Sequence, residues 1–337
     1  MKVSFIVSLL TLCFSLPCFG QEQAWSTFAG PSGLPGSGKK IVLISGDEEY
    51  RSEQMLNQLG KILAKHHGFD CTVLYAIDPK SGEIDPVVLN NIPGLELLEK
   101  ADIAIIFLRF RNLPDEQMKY IDSYLRAGKP VLGIRTSTHA FNFPGGLTYS
   151  HYSFNSNDNG GPWQEGFGRL VLGETWINHH GHHGVEATRG VIAQGQESNK
   201  IVNGCDDMFG PSDVYTVRLP LPGDCRPLVL GAVLEGMKAN DPPVSGPKNE
   251  TKMPIAWTKT YQIPDGKKGI AFTSTMGCAK DFQSEGYRRL LVNATYWLAG
   301  LETKIPERAK VEIVGTYEPL DMGFAQHPKG VKPSNDF

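Results

Sequence analysis

The feature that most constrains this chain is an alternation of short runs, apolar from end to end, with stretches of helical periodicity. Lys40–Ser45 (KIVLIS), Cys71–Ala76, Ile103–Leu108 (IAIIFL) and Val131–Ile134 are the apolar runs. Between them, Ser52–His67 sets Met55, Leu59, Ile62 and Leu63 at helical spacing. Leu95–Lys100 reads as a short helix, and Pro114 opens another at its first position, carrying Met118, Ile121 and Leu125 and ending near Gly128. Strands without polar alternation are buried on both faces. With right-handed crossovers they predict an α/β fold: a flavodoxin-like, doubly wound, mostly parallel sheet with helices on both faces. Later strands are expected at Leu228–Leu234, Ile255–Tyr261 and Gly269–Thr275, and a strongly patterned helix at Glu285–Leu298.

Composition narrows the class. Over 337 residues, 40% hydrophobic and 20% charged, a large core is affordable. The 33 basic against 36 acidic residues argue against nucleic-acid binding by counterion release. Lys2, the apolar run Val3–Leu16 and the small residues Cys18 and Gly20 make a secretory signal over 1–20, cut before Gln21. A lipid anchor at Cys18 is the alternative. The run is shorter than the roughly 20 residues of a membrane helix, so a secreted or periplasmic protein without a membrane span is expected. Residues 21–38 read as a surface leader, 39–302 as the α/β domain, and 303–337 as an extended tail, clamped on the body or loose. An oxidising compartment makes Cys205–Cys225 the candidate disulfide, with four small buried hydrophobes as the other reading. Asn249-Glu250-Thr251 and Asn293-Ala294-Thr295 match the glycosylation triplet by chance.

Doubly wound sheets bind ligands beyond the carboxyl ends of their strands. That rule selects Asp47, Glu48, Glu49 and Tyr50, then Arg109 and Arg111, then Arg135, Ser137 and His139. The arginines suit carboxylate, phosphate or vicinal hydroxyls, or pair with the acidic run. An uncompensated buried carboxylate there would serve as acid or base. Tyr50, Phe110, Phe141 and Trp163 offer flat faces on which sugar rings stack, or are core aromatics. Arg135 stands where a strand-to-helix elbow would present a nucleophile, and no cysteine lies near it. Ser137 and His139 are too close in sequence to imply a dyad; Thr136 and Thr138 suit helix capping. The cluster His179, His180, His182 and His183 is the sharpest local signal. On an extended backbone His180 and His182 would face one way and present two imidazoles to a divalent transition metal such as zinc, with a carboxylate completing the site. A polar pocket wall is the alternative.

Taken together, GDEEYRSE, RFRNLPDEQM, GIRTSTHAF, NHHGHHG, IVNGCDDMFGPSDVY, TSTMG and GYRRLLVNATYWLAGLE resemble secreted ThuA-like (trehalose-utilisation) proteins of planctomycete type. The resemblance covers most of 39–302. It implies a class I glutamine amidotransferase-like fold without that superfamily's Cys-His-Glu triad, and a link to disaccharide and keto-sugar metabolism. By position, Asp213 and Tyr215 match the family's acidic-x-aromatic element. Its "HP-x-x-x-G" segment reads Asn199-Lys200-Ile201-Val202-Asn203-Gly204 here, and its "GH" reads Gly277-Cys278. The expected protein binds a small-molecule carbohydrate and performs acid/base or metal-assisted hydrolysis, elimination or isomerisation of a (keto)glycoside. In it His180, His182, Glu49 and Asp213 are catalytic, Asp47, Tyr50, Arg109, Arg111, Arg135, Ser137, His139 and Tyr215 bind substrate, and the four clustered histidines are the metal candidates. A non-catalytic sugar-binding or scaffold protein on a degenerate amidotransferase fold is the alternative.

Overall fold

Side-chain parity in the first long strand sets the layering. Lys40–Gly46 (β2) is buried at six of its seven positions. Ile41 and Leu43 enter one apolar cluster, Val42 and Ile44 the other. Helices Ser52–His67 (α1) and Glu285–Leu298 (α3) pack Leu59, Ile62, Leu290 and Leu291 against the first face. Helix Asp115–Arg126 (α2) packs Met118, Ile121 and Leu125 against the second. Pro114 sits just ahead of α2, in extended conformation. Gly68 ends α1 in the left-handed conformation, its N–H bonded to Ala64 O and Leu63 O. Ser284 caps α3 by accepting from the Tyr287 N–H. The computed structural model describes residues 23–334; the secretory signal expected over 1–20 lies outside them.

The remaining strands are Trp25–Phe28 (β1), Asp70–Tyr75 (β3), Ile103–Leu108 (β4), Val131–Ile134 (β5), Thr188–Ile192 (β6), Phe209–Gly210 (β7), Arg226–Val233 (β8), Met253–Tyr261 (β9) and Gly269–Ser274 (β10). They form one ten-stranded sheet in the order β1-β3-β2-β4-β5-β10-β9-β8-β6-β7. The pairings along β3-β2-β4-β5-β10 are parallel. Those of β1 with β3, and along β10-β9-β8-β6-β7, are antiparallel. The doubly wound, mostly parallel expectation is therefore corrected: the sheet is mixed and mostly antiparallel. The cause lies in the connections. Between β5 and β10 the chain has no long amphipathic helix to carry a crossover, and β9 returns directly into β10.

Three further features concern the two ends of the described chain and the cysteines. The stretch read as a surface leader supplies edge strand β1. The tail runs extended over the body, with Tyr317 Oη donating to Ala279 O, Gly323 N–H to Glu49 O, and Ile84 N–H to Val331 O. Cys205 and Cys225 are free thiols, as are Cys71 and Cys278.

The elbow after β5 is held from outside by the π-turn Gly168–Leu172. A Cβ on Gly168 would stand 2.0 Å from Thr138 O and 3.0 Å from Glu174 O, both backbone atoms. Gly168→Ala is therefore expected to cost about 1–3 kcal/mol in urea unfolding. Gly145→Ala, with nothing within 4 Å, should stay within about 0.5 kcal/mol of wild type.

Candidate active site

The parallel strands end at one rim, and the residues that follow β2, β4, β5 and β10 build one side of the site. After β5 the chain turns at Arg135, whose backbone is left-handed (φ 48). Its guanidinium is fully buried. Nη2 donates to Asp213 Oδ1 at 2.7 Å and to Tyr50 Oη at 3.2 Å; Nη1 donates to the carbonyls of Asp213 (2.5 Å) and Thr275 (2.8 Å). The rings of Tyr215 and Tyr50 stand 3.7 and 4.7 Å from its Cζ. Removing one partner of a buried pair of this kind costs about 3–5 kcal/mol, because the other charge is left uncompensated. Arg135 therefore holds Asp213 rather than a ligand.

Asp213 in turn organises the histidine loop. Residues 178–181 and 213–216 run side by side, with His180 N–H donating to Val214 O and Thr216 N–H to Asn178 O. This ribbon sets His179 Nδ1 2.7 Å from Asp213 Oδ2. The chain then turns at 182–186, where the Glu186 N–H reaches His182 O. The turn brings His183 back, its Nδ1 2.9 Å from Asp213 Oδ1 and its Nε2 3.3 Å from Glu49 Oε1. The carboxylates of Asp213 and Glu49 hold the His183 proton and raise its pKa from 6.5 to about 9. Arg135 and the two imidazoles keep Asp213 well below the usual carboxylate range, against the effect of burial.

The expectation that His180 and His182 face one way is corrected here. His180 Nε2 meets Lys248 O at 2.8 Å, and the His182 side chain is 73% exposed beside Glu186. Because the segment turns instead of continuing extended, the imidazoles that meet are four apart, not two. Among the described residues, His179, His183 and Asp213 have donor atoms converging within 4.8 Å. The set fits a metal poorly. Both carboxylate oxygens already meet imidazole nitrogens, and Arg135 fixes a permanent positive charge 2.7 Å from Oδ1.

The acidic run divides into three duties. Asp47 is fully buried and caps its own loop, accepting from the N–H groups of Glu49 (2.8 Å) and Tyr50 (2.5 Å) and from Thr136 Oγ1 (2.5 Å). Burial pushes its pKa up to about 6. Glu48 receives Arg111 Nη2 at 2.6 Å and Arg109 Nη1. Glu49 is left facing His183, with Arg109 Nε at 3.6 Å. Arg111 is completely buried, its other donors spent on the carbonyls of Arg109, Pro86 and Val88. Neither Arg111 nor Arg135 has a guanidinium available to a substrate, which corrects the expectation of two clamps; Arg109 is the partly exposed one. Ser137 is buried too, its hydroxyl donating to Ile106 O.

His139 is a neutral ring, its pKa pushed well below 6.5 by burial and by the nearby arginines. It packs against Phe110, Trp176 and Tyr215 at 5.0–6.3 Å between centroids. Phe141 and Trp163 belong to the core beneath α2. Trp176 and Phe154 were missed as site residues; Trp176 stands three positions before the first histidine, which was the available signal. Cys278 is a buried thiol beside Asp281, held protonated by burial, and so is no nucleophile. The surface hollows beside Trp25 and Tyr120, and beside Phe28 and Cys71, are lined by none of these site residues.

No protein-family model and no curated protein matches the chain. Among solved structures, a protein described as ThuA-like from Parabacteroides merdae ATCC 43184 is 15% identical, with 85% of this chain and 97% of that one covered and a TM-score of 0.46. A second protein so described, from Bacteroides uniformis ATCC 8492, is 14% identical over 80% and 94%, at 0.43. The exo-β-1,4-mannosidase Op5Man5 from Opitutaceae bacterium strain TAV5 is 9% identical over 79% of this chain and 35% of its own, at 0.28.

His183 supplies a pH prediction. Its folded pKa lies above the ordinary 6.5, so its contribution to stability is complete below about pH 6.5 and is lost as pH rises through about 9. In NMR the His183 imidazole should titrate near 9, and Glu49→Gln should move that midpoint toward 6.5. Between about pH 7 and 9.5 the thermal midpoint should fall more in wild type than in His183→Asn.

Proposed function

We propose that the crevice binds a sugar or (keto)glycoside and performs acid/base chemistry on it, with His183 as proton donor and Glu49 as proton acceptor. The observation that carries this reading is His183 held between two carboxylates. Asp213 fixes its Nδ1 and stabilises the imidazolium, while Nε2 turns toward Glu49. Near neutral pH the raised pKa keeps His183 protonated, so it can donate to a leaving or carbonyl oxygen. Glu49 is then placed to take a proton from carbon or from water. Arg109 suits a ring hydroxyl or carbonyl, and Phe110 and Trp176 offer faces to a sugar ring. No step runs through a metal. The N-terminal signal pattern supports a secreted or periplasmic site of action. Among the described residues no helix is long and apolar enough to cross a membrane.

One observation favours a second reading, a non-catalytic sugar-binding protein: the elbow position of a nucleophile is filled by buried Arg135. Turnover and binding of a glycoside and ketoglycoside panel separate the two. His183→Asn and Glu49→Gln should each lower kcat/KM by about 10²–10⁴-fold while binding persists. In wild type, kcat/KM should fall above about pH 9 as His183 loses its proton. Undiminished turnover in both variants overturns the assignment, and sugar binding without turnover in wild type selects the second reading.

A further inference from the structure

Beyond α3 the chain crosses the body as an extended strap, tied at intervals to α1. His67 Nε2 donates to Lys310 O at 2.7 Å, the Val314 backbone pairs with both ends of the Gln58 amide, and Leu320 N–H donates to Gln54 Oε1. The ties that follow fall on the loop that carries Glu49. Gly323 N–H donates to Glu49 O at 2.7 Å. The same carbonyl accepts from Arg51 Nη2 at 3.3 Å, and Arg51 Nε reaches Asp321 O at 3.3 Å. The Asp321 carboxylate is paired with Lys280 Nζ, in the loop after β10. One residue beyond Gly323, the Phe324 ring lies over the Arg109 guanidinium, 5.0 Å from its Cζ, and Arg109 Nε stands 3.6 Å from Glu49 Oε2.

Position 323 has a reason to be glycine. Its φ of 149 is a conformation that side chains rarely adopt, and a Cβ there would stand 2.9 Å from Gln326 Nε2. In that conformation its N–H meets Glu49 O. On the other side of the loop, Asp47 Oδ1 accepts from the N–H groups of Glu49 and Tyr50. Both peptide planes that flank the Glu49 Cα are thereby held, and with them the direction in which its side chain leaves the backbone. We infer that the strap is a positioning element of the active site: Gly323 fixes the Glu49 carbonyl and so sets where the Glu49 carboxylate meets His183. This rests on the acid/base reading above and adds Gly323 to that site as a positioning residue, which acts through Glu49 and touches no reacting atom.

NMR titration of His183 in the full chain reads the placement of Glu49 without any substrate. Among the described residues His183 faces Asp213, Glu49, Tyr50 and His179, and the strap's hydrogen bond goes to Glu49. Gly323→Ala should lower the His183 midpoint by about 0.5 pH unit or more, the direction expected of Glu49→Gln. Lys280→Ala, which releases Asp321 and leaves the glycine intact, should act in the same direction. Gly315→Ala strains the strap at another positive φ (74), with nothing within 4 Å, and should leave the midpoint within about 0.2 unit. In a Glu49→Gln background Gly323→Ala should shift the midpoint no further. Turnover in Gly323→Ala should show kcat lowered about tenfold, with KM within about twofold of wild type. A midpoint unmoved in both Gly323→Ala and Lys280→Ala while Glu49→Gln moves it, or an unaltered kcat, overturns the inference and leaves the acid/base reading standing. A strap that only stabilises the fold would lower the urea midpoint in Gly323→Ala and Gly315→Ala alike and leave His183 where it is, which also overturns it. A wild-type midpoint near 6.5, or one that Glu49→Gln does not move, overturns the acid/base reading and this inference with it.

Discussion

The buried pair between Arg135 and Asp213 is the constraint on which the site depends. A guanidinium without solvent must be neutralised where it stands, and here a carboxylate, a phenol and two carbonyls do so. Those four groups come from three segments, so satisfying one charge joins the loop after β2, the loop after β10 and the ribbon that carries Asp213. The left-handed backbone at Arg135 aims the side chain inward, where a nucleophile at this elbow would project toward a ligand. The same turn thus serves as the keystone of a polar network.

That network decides what the neighbouring acids can do. Asp47, Glu48 and Glu49 are adjacent in sequence, yet the first is spent on backbone amides and a threonine, and the second on two arginines. Glu49 retains the looser contacts, at 3.3 Å to His183 and 3.6 Å to Arg109. Glu49 is the acid of the three that the structure engages least tightly.

Much of the parallel half was legible in the sequence because its strands and helices are long and cleanly patterned. Ser52–His67, Ile103–Leu108, Val131–Ile134 and Glu285–Leu298 occupy the ranges their periodicity predicts. The antiparallel half was not legible as such. β8 alternates irregularly between exposed and buried positions and carries register shifts against β9, and β7 has only two residues. Strand direction follows from connections, which apolar patterning does not encode. In the site, the gathering of Glu49, Arg135, Asp213 and Tyr215 at one rim followed from strand ends and family-like spacing. Which histidines face inward did not, since a turn at 182–186 replaces the extended backbone that alternation assumes. The burial of Arg111 and Arg135 was also hidden: an arginine at a strand end reads the same whether its fork meets a ligand or the protein's own carbonyls. The strap's role at Glu49 had no periodic signal at all.

The resting contact between His183 and Glu49 has a consequence for any reaction here. An imidazolium and a carboxylate 3.3 Å apart satisfy each other, and neither can act on a substrate until something comes between them. A sugar hydroxyl is suited to that task, because it donates to the carboxylate and accepts from the imidazolium in one group. Insertion would separate donor from acceptor while keeping both hydrogen-bonded, so the cost of parting the charges is offset by the bonds that replace them. Asp213 is unaffected by the exchange, since Arg135 holds it from behind, and it keeps the imidazole oriented throughout. A ligand lacking a hydroxyl would have to part the pair without compensation. Under the proposed reading, the ion pair itself would favour hydroxylated ligands before any contact with the surrounding rings.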